Sequence, residues 1–294
     1  MDGAHLAAAP VRLAPYRPLL LAAAMLSLCV VGLGAYVRLT DAGLGCPDWP
    51  GCHGHLVPEQ AADAGRAWRE MIHRYAAGTL GLLIFALAGA AWRRPRRGLP
   101  RLETALAGLV VAQALLGMWT VTGLLAPAIV TAHLLGGMLT WTLLVVLVRR
   151  EFAAPGPAIG GRYGHWTLAV LLGQVALGGW VSSHYAGLAC PDFPTCLGSW
   201  WPTAPPAWLH WLHRLGALAV LAVAGGYAAA LLRRPAARAF GLAVALALAM
   251  QLALGIGNVL LRLPLPLAVA HNLGAAILLA TVAATIVRRP PWPR

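Results

Sequence analysis

Over 294 residues the chain is 60% hydrophobic and 11% charged, which excludes an ordinary soluble domain, where about a quarter of residues carry charge. The net charge of +13 comes from arginine alone, and the arginines are placed between apolar runs, so membrane topology accounts for them and nucleic-acid binding is excluded as their use. The composition is that of a polytopic membrane protein.

Runs of about 18 or more mostly apolar residues, enough to cross ~30 Å of hydrocarbon, recur eight times: 19–38, 70–91, 102–122, 129–148, 165–183, 208–231, 240–261 and 267–287. An all-α fold of eight transmembrane helices is expected. Arg12 and Arg17, then Arg93, Arg94, Arg96, Arg97 and Arg101, then Arg149, Arg150 and Arg162, then Arg233, Arg234 and Arg238, and finally Arg288, Arg289 and Arg294 fall on one side. The positive-inside rule makes that side cytoplasmic and puts both termini there. Asp41, Asp48, Glu59, Asp63, Glu70 and Asp192 lie at or near the other face. The first span lacks a small-residue cleavage site and is read as a span, not a signal peptide; the lack of a Ser-rich transit peptide favours a bacterial plasma membrane.

Span one leads into an outer loop with Cys46-Pro47-Asp48-Trp49-Pro50-Gly51-Cys52, and span five into one with Cys190-Pro191-Asp192-Phe193-Pro194-Thr195-Cys196. The loops match at an offset of 144. His73-Arg74 answers His213-Arg214 at 140, and Gln113, Gly117 and His133 answer Gln251, Gly255 and His271 at 138. The chain therefore reads as a duplicated four-helix unit. An even number of spans gives both copies the same orientation, a parallel repeat of two four-helix bundles. The boundary falls in the Pro/Gly-rich stretch from Phe152 to Gly161, so residues 1–150 form the N-terminal half and 151–294 the C-terminal half.

His73, His133, His213 and His271 stand near the outer starts of spans two, four, six and eight. Ionisable groups inside a bilayer cost about 2.5 to 3.5 kcal/mol each on insertion scales, so their presence points to use. The two in each half reach a similar depth, the arrangement of paired axial ligands on a haem iron. Each is followed at i+3 and i+4, on its own helix face, by small residues: Ala76 and Ala77, Gly136 and Gly137, Gly216 and Ala217, Gly274 and Ala275. A flat macrocycle needs such clearance, although small residues also serve close helix packing. Arg74 and Arg214 are placed to pair with haem propionates or to snorkel at the surface. His53, His55, His184 and His210 read as surface residues, and Gln113 and Gln251 as packing residues.

The pairs Cys46 with Cys52 and Cys190 with Cys196 lie on the oxidising side, where disulfides are the default and a redox role is the alternative. Cys29, within span one, is expected to be a buried apolar residue. The halves differ at Glu70, three residues before His73, because its counterpart before His213 is His210. That spacing puts Glu70 on the ligand's face one turn outward, within reach of a porphyrin edge in the first half only; pairing with Arg74 or Arg66 is the alternative.

Eight spans in two halves, four outer histidines, Glu-x-x-His-Arg in span two and a cysteine pair in each large outer loop together resemble the haem A synthase family over nearly the whole chain. The resemblance implies oxidation of the C8 methyl group of haem O to a formyl group, giving haem A for terminal oxidases. It implies His73 and His133 as ligands of the substrate haem with Glu70 catalytic, and His213 and His271 as ligands of a haem b, all towards the extracytoplasmic face. Partners on this reading are the bilayer, haem O, a haem O synthase handing over substrate laterally, and the oxidase assembly pathway. Two other classes fit part of the pattern: a diheme cytochrome relaying electrons from quinol, which leaves Glu70 without a role, and a membrane thiol-disulfide oxidoreductase, which leaves the histidines without one. A transporter fits least, because the polar residues cluster at the outer face instead of at mid-membrane.

Overall fold

The computed structural model describes residues 16–59, 61–94, 100–153 and 158–287. Arg12, Arg96, Arg97, Arg288, Arg289 and Arg294, and residues 154–157 of the predicted boundary between halves, lie outside them. Among the described residues eight helices are long and apolar enough to cross a membrane: α1 Tyr16–Leu39, α2 Ala64–Trp92, α3 Arg101–Thr122, α4 Pro127–Phe152, α5 Gly161–Ser183, α6 Pro205–Leu232, α7 Arg238–Leu260 and α8 Leu265–Ile286.

The expected spans lie within or close to these helices, but several helices run further. α2 begins at Ala64 because Asp63 caps it, its side chain accepting from the Arg66 amide at 2.9 Å. Polar first turns with Arg66 and Arg69 carry the helix above the apolar run. α4 continues through Arg149 and Arg150 to Phe152, the basic residues sitting where the helix dipole favours cations. Proline opens α4 and α6 and stands in the first turn of α8, where its missing N–H costs nothing.

The duplication extends to the backbone. Asp41 and Tyr185, His53 and Leu197, and Gly54 and Gly198 are pairs 144 apart, all with positive φ. Leu124 and Leu125 before α4 match Arg262 and Leu263 before α8 at 138, again all with positive φ. In both of these turns the second residue's amide reaches back to the helix, Leu125 to the Thr120 carbonyl at 2.8 Å and Leu263 to that of Asn258 at 2.7 Å. The cysteine loops each contain a cis proline, Pro50 and Pro194, and are closed by Cys46–Cys52 and Cys190–Cys196 disulfides.

Helix contacts repeat as well. α1 packs on α2 and α4 as α5 packs on α6 and α8, and the halves meet through α1 with α8, α4 with α5, and α4 with α8. The first pair of these contacts exchange under the repeat and the third maps onto itself, so a pseudo-twofold axis passes beside α4 and α8. One apolar core lies among α1 to α4, around Leu20, Ile84, Leu106 and Leu144. The other lies among α5 to α8 and takes in Val31 of α1 and Met138 of α4. Large apolar side chains such as Met25 and Leu82 point outward, as lipid-facing residues do. Cys29 does the same: it is an exposed free thiol, contrary to the expectation of burial, because it sits on the face of α1 turned away from its neighbours.

Candidate functional site

The four histidines project from α2, α4, α6 and α8, which run in one direction, so all lie at the end of the molecule that carries the disulfide loops. At ~1.5 Å per residue they stand about 9 to 14 Å below their helix starts. His73 lies within electrostatic reach of His133, and His213 of His271, so each half brings its two imidazoles together. All four are half-buried.

Each imidazole is backed by a glycine of the preceding helix. A Cβ added at Gly34, Gly117, Gly178 or Gly255 would meet the Cε1 of His73, His133, His213 or His271 at 3.1, 3.4, 3.0 and 3.1 Å. At Gly34, Gly178 and Gly255 a larger residue presses on the ring, whereas at Gly117 a methyl group makes an ordinary contact. Of these glycines only Gly117 and Gly255 stood out in the sequence; Gly34 and Gly178 did not. Gln174, also unmarked by the sequence reading, has its Nε2 2.8 Å from the His213 carbonyl and 3.1 Å from His213 Nδ1. Gln251 Nε2 lies 3.4 Å from His271 Nε2. The glycines at i+3 from His133, His213 and His271 are the seats of these amides: a Cβ at Gly136, Gly216 or Gly274 would run into Gln113, Gln174 or Gln251. The recurrence Gln-x-x-Leu-Gly at residues 113, 174 and 251 is the signal that would have found them.

At Gly136, Gly216 and Gly274 the space expected to be clear beneath the rings is taken up by glutamine amides. Nδ1 of His73, His133 and His271 is buried without a hydrogen-bond partner. Buried polar atoms are normally paired, and imidazoles left in this state fit ligands more readily than packing residues. Among the described residues no three His, Cys, Asp or Glu side chains converge on a metal-sized site. Two imidazoles per half suit a group that supplies its own equatorial ligands, which is the donor set a haem requires.

Glu70 is buried, 4% exposed. Its Oε1 accepts from Arg74 at 2.6 Å and its Oε2 from the Cys46 amide at 2.9 Å, so the carboxylate clasps the first disulfide loop to α2. The loop presses close here, a Cβ on Gly45 falling 2.7 Å from the Arg66 backbone carbon. His210 occupies the corresponding place and is buried, not a surface residue as expected; its Nδ1 lies 3.4 Å from the Cys190 amide and 3.1 Å from the Ala186 carbonyl. His53, His55 and His184 are exposed as expected.

Arg74 and Arg214, read from sequence as propionate contacts, direct their donors into the loops. Arg74 reaches the Asp48 and Gly51 carbonyls at 2.8 and 2.5 Å. Arg214 reaches those of Thr195 and Cys190, both at 2.7 Å. Each disulfide loop turns carbonyls towards the helix, and these are the acceptors in reach. Asp48 and Asp192 knit the loops from within. Amides of Gly54 and His53 hold the Asp48 carboxyl below its ordinary range. The Thr195 hydroxyl and the amides of Gly198 and Leu197 hold that of Asp192 well below it.

Fold and site together define a multi-pass membrane protein of two histidine-paired helix bundles, each roofed by a disulfide-closed loop. Residues 17–283 match the COX15-CtaA family, cytochrome oxidase assembly proteins. The chain belongs to that family. It is similar to a haem A synthase of Shewanella oneidensis, 42% identical over 197 residues that make up 59% of each protein. It is also similar to haem A synthases of Shouchella clausii, 30% identical over 60% of this chain and 62% of that one, and of Halalkalibacterium halodurans, 31% identical over 58% and 60%. The matched segments span about six-tenths of the length of these curated relatives.

Proposed function

We propose that this protein is a haem A synthase that oxidises the C8 methyl group of haem O to a formyl group. The observation that carries the reading is the pair of glycine-backed, neighbouring imidazoles in each bundle, of which one bundle alone has a carboxylate a turn away. On this reading His73 and His133 hold the substrate haem O, and His213 and His271 hold a haem b. Bound haem b supplies one-electron redox chemistry. The named relatives, haem A synthases, support haem A as the product, and the second histidine pair supports a second haem, taken here as haem b.

The chain's own residues contribute position and field. The four glycines let the rings stand upright against the neighbouring helix, and the low dielectric of the bundle strengthens any charge placed near them. Glu70 is the catalytic carboxylate of the proposal. Because both of its oxygens are engaged, it acts as a fixed anion that stabilises positive charge developing at the methyl carbon, in preference to acting as a base. Arg74 and the Cys46 amide keep it oriented. Haem O arrives laterally from a haem O synthase in the same bacterial plasma membrane, and haem A passes to oxidase assembly; the site faces the extracytoplasmic side, where the arginine distribution puts the disulfide loops.

Glu70→Gln tests the assignment. The amide keeps an acceptor for Cys46 and removes the charge, so haem content should stay near wild type while haem O conversion falls by about 10²–10³, as for loss of a preorganised electrostatic group. Pigment analysis of the purified protein should give haem b together with haem O or A.

A diheme electron relay is the second reading, favoured by one observation: Glu70 is fully employed in holding its loop, as His210 is in the other half. It predicts that Glu70→Gln leaves haem A production unchanged.

A further inference from the structure

The glycine behind each imidazole is preceded by a residue one turn deeper on the same face. In α3, α5 and α7 it is glutamine: Gln113 before Gly117, Gln174 before Gly178 and Gln251 before Gly255. In α1 it is Val30, before Gly34. The helix pairs are therefore four copies of one unit, Gln-x-x-Leu-Gly facing a histidine, and the copy that faces His73 lacks the amide. Gln174 alone reaches an Nδ1, that of His213; those of His73, His133 and His271 are buried with no partner, and only for His73 is there no glutamine on the facing helix to supply one.

We propose that this difference decides which bundle keeps its haem: Gln174 is a positioning residue that makes the second bundle the retaining one, and Val30 leaves His73 as the ligand through which the first bundle exchanges. The inference rests on the reading of the histidine pairs as haem ligands. An imidazole bound to iron through Nε2 carries its proton on Nδ1, and an acceptor for that proton fixes the ring and raises its basicity. Gln174 holds its amide at the right place. Its nitrogen now donates to the His213 carbonyl and lies 3.1 Å from Nδ1, and a partial rotation of the amide that keeps the first contact brings Oε1 towards Nδ1–H. No rotation of Val30 can do this for His73. A substrate must leave after each turnover and a cofactor must not, and the distribution of amides matches that division: the ring whose facing helix carries no glutamine is in the bundle that has Glu70.

The test is haem loss from the full-length protein to excess apomyoglobin, followed by absorbance. Two backgrounds separate the sites: His73→Ala with His133→Ala leaves the second, and His213→Ala with His271→Ala leaves the first. Gln174→Val should speed loss from the second site by about tenfold or more, the usual effect of removing an outer-shell partner, and should shift the low-spin ferric EPR signal. Gln174→Glu, which keeps an acceptor, should restore retention. Val30→Gln should slow loss from the first site by a similar factor, and it tests the idea even if Gln174→Val fails to fold. Unchanged rates in Val30→Gln, or in a folded Gln174→Val, would overturn the proposal while leaving the ligand assignment standing. Wild-type haem content after all four histidines are replaced would instead remove the ligand reading beneath it.

Discussion

At the scale of single residues, the site is defined as much by what is missing as by what is present. The rings of His73 and His213 sit so close to Gly34 and Gly178 that a methyl group there falls at 3.1 and 3.0 Å from Cε1, whereas at Gly117 it falls at an ordinary contact of 3.4 Å from His133. Gly34→Ala and Gly178→Ala should therefore tilt their imidazoles and lower haem content of the respective bundle, and Gly117→Ala should lower it least. Haem-to-protein ratio by pyridine haemochrome reads this directly, and equal loss from all three would show that the glycines serve helix packing alone. Glu70 and His210 illustrate the complementary case. Two residues of different chemistry occupy one place beside a cysteine amide: the carboxylate accepts from Cys46, and the imidazole stands with its Nδ1 between the Cys190 amide and the Ala186 carbonyl.

The elements divide into helices, which follow from hydropathy, and loops, which follow from local hydrogen bonds. In the second loop the Asp192 carboxylate accepts from Thr195, Leu197 and Gly198. These bonds favour its ionised form and lower its pKa in the folded protein. A depressed carboxylate contributes order that is complete above its unfolded value, about 3.9, and is lost as pH falls through the lower folded value. The Leu197 and Gly198 amides should thus stay protected from hydrogen exchange in mildly acidic solution and lose protection only well below pH 4; Asp192→Asn should raise their exchange at neutral pH. Protection that decays in step with ordinary carboxylate titration would contradict this. The same division explains what the sequence made legible. Apolar runs of spanning length gave the eight helices, and the bilayer cost of ionisable groups singled out His73, His133, His213 and His271. Helix starts at Ala64 and Pro205 were missed because the arginine-bearing opening of α2 and the paired prolines that open α6 carry no hydropathy signal. Gln174 was missed because an uncharged amide is a weak outlier in a span, and Val30 because its meaning lies in a comparison across four helices. The loop partners of Arg74 and Arg214 are backbone carbonyls, which no side-chain pattern reveals.

For the whole molecule, the question is what holds two similar bundles in one fixed relation. The interface is carried by α1, α4, α5 and α8, and at the end near the loops it is crossed by Arg38. Its Nη2 donates to the Ser182 carbonyl at 2.5 Å, its guanidinium lies 4.0 Å from the Tyr185 ring, and Asp41 stands 3.5 Å away. Ser182 is 144 residues on, the repeat mate of Arg38 itself, so the contact lies close to the pseudo-twofold axis and joins one bundle to the other asymmetrically. Arg38 is also one turn above Gly34 on the same face of α1, so whatever fixes Arg38 fixes the helix behind His73. A charged hydrogen bond contributes about 1.5–3 kcal/mol and a partly exposed cation–π contact about 0.5–1. Arg38→Ala should therefore lower stability by about 2–3 kcal/mol, and Tyr185→Leu by less. If the pair acts as one unit, the double variant should be less destabilised than the sum of the singles by ~0.5–1 kcal/mol in a thermal-unfolding cycle. Because α1 is freed only beside the first bundle, haem should also be lost faster from the His73 and His133 pair than from the His213 and His271 pair. Strict additivity together with equal loss from both bundles would mean that the halves are held by their apolar helix contacts and that Arg38 is incidental to them.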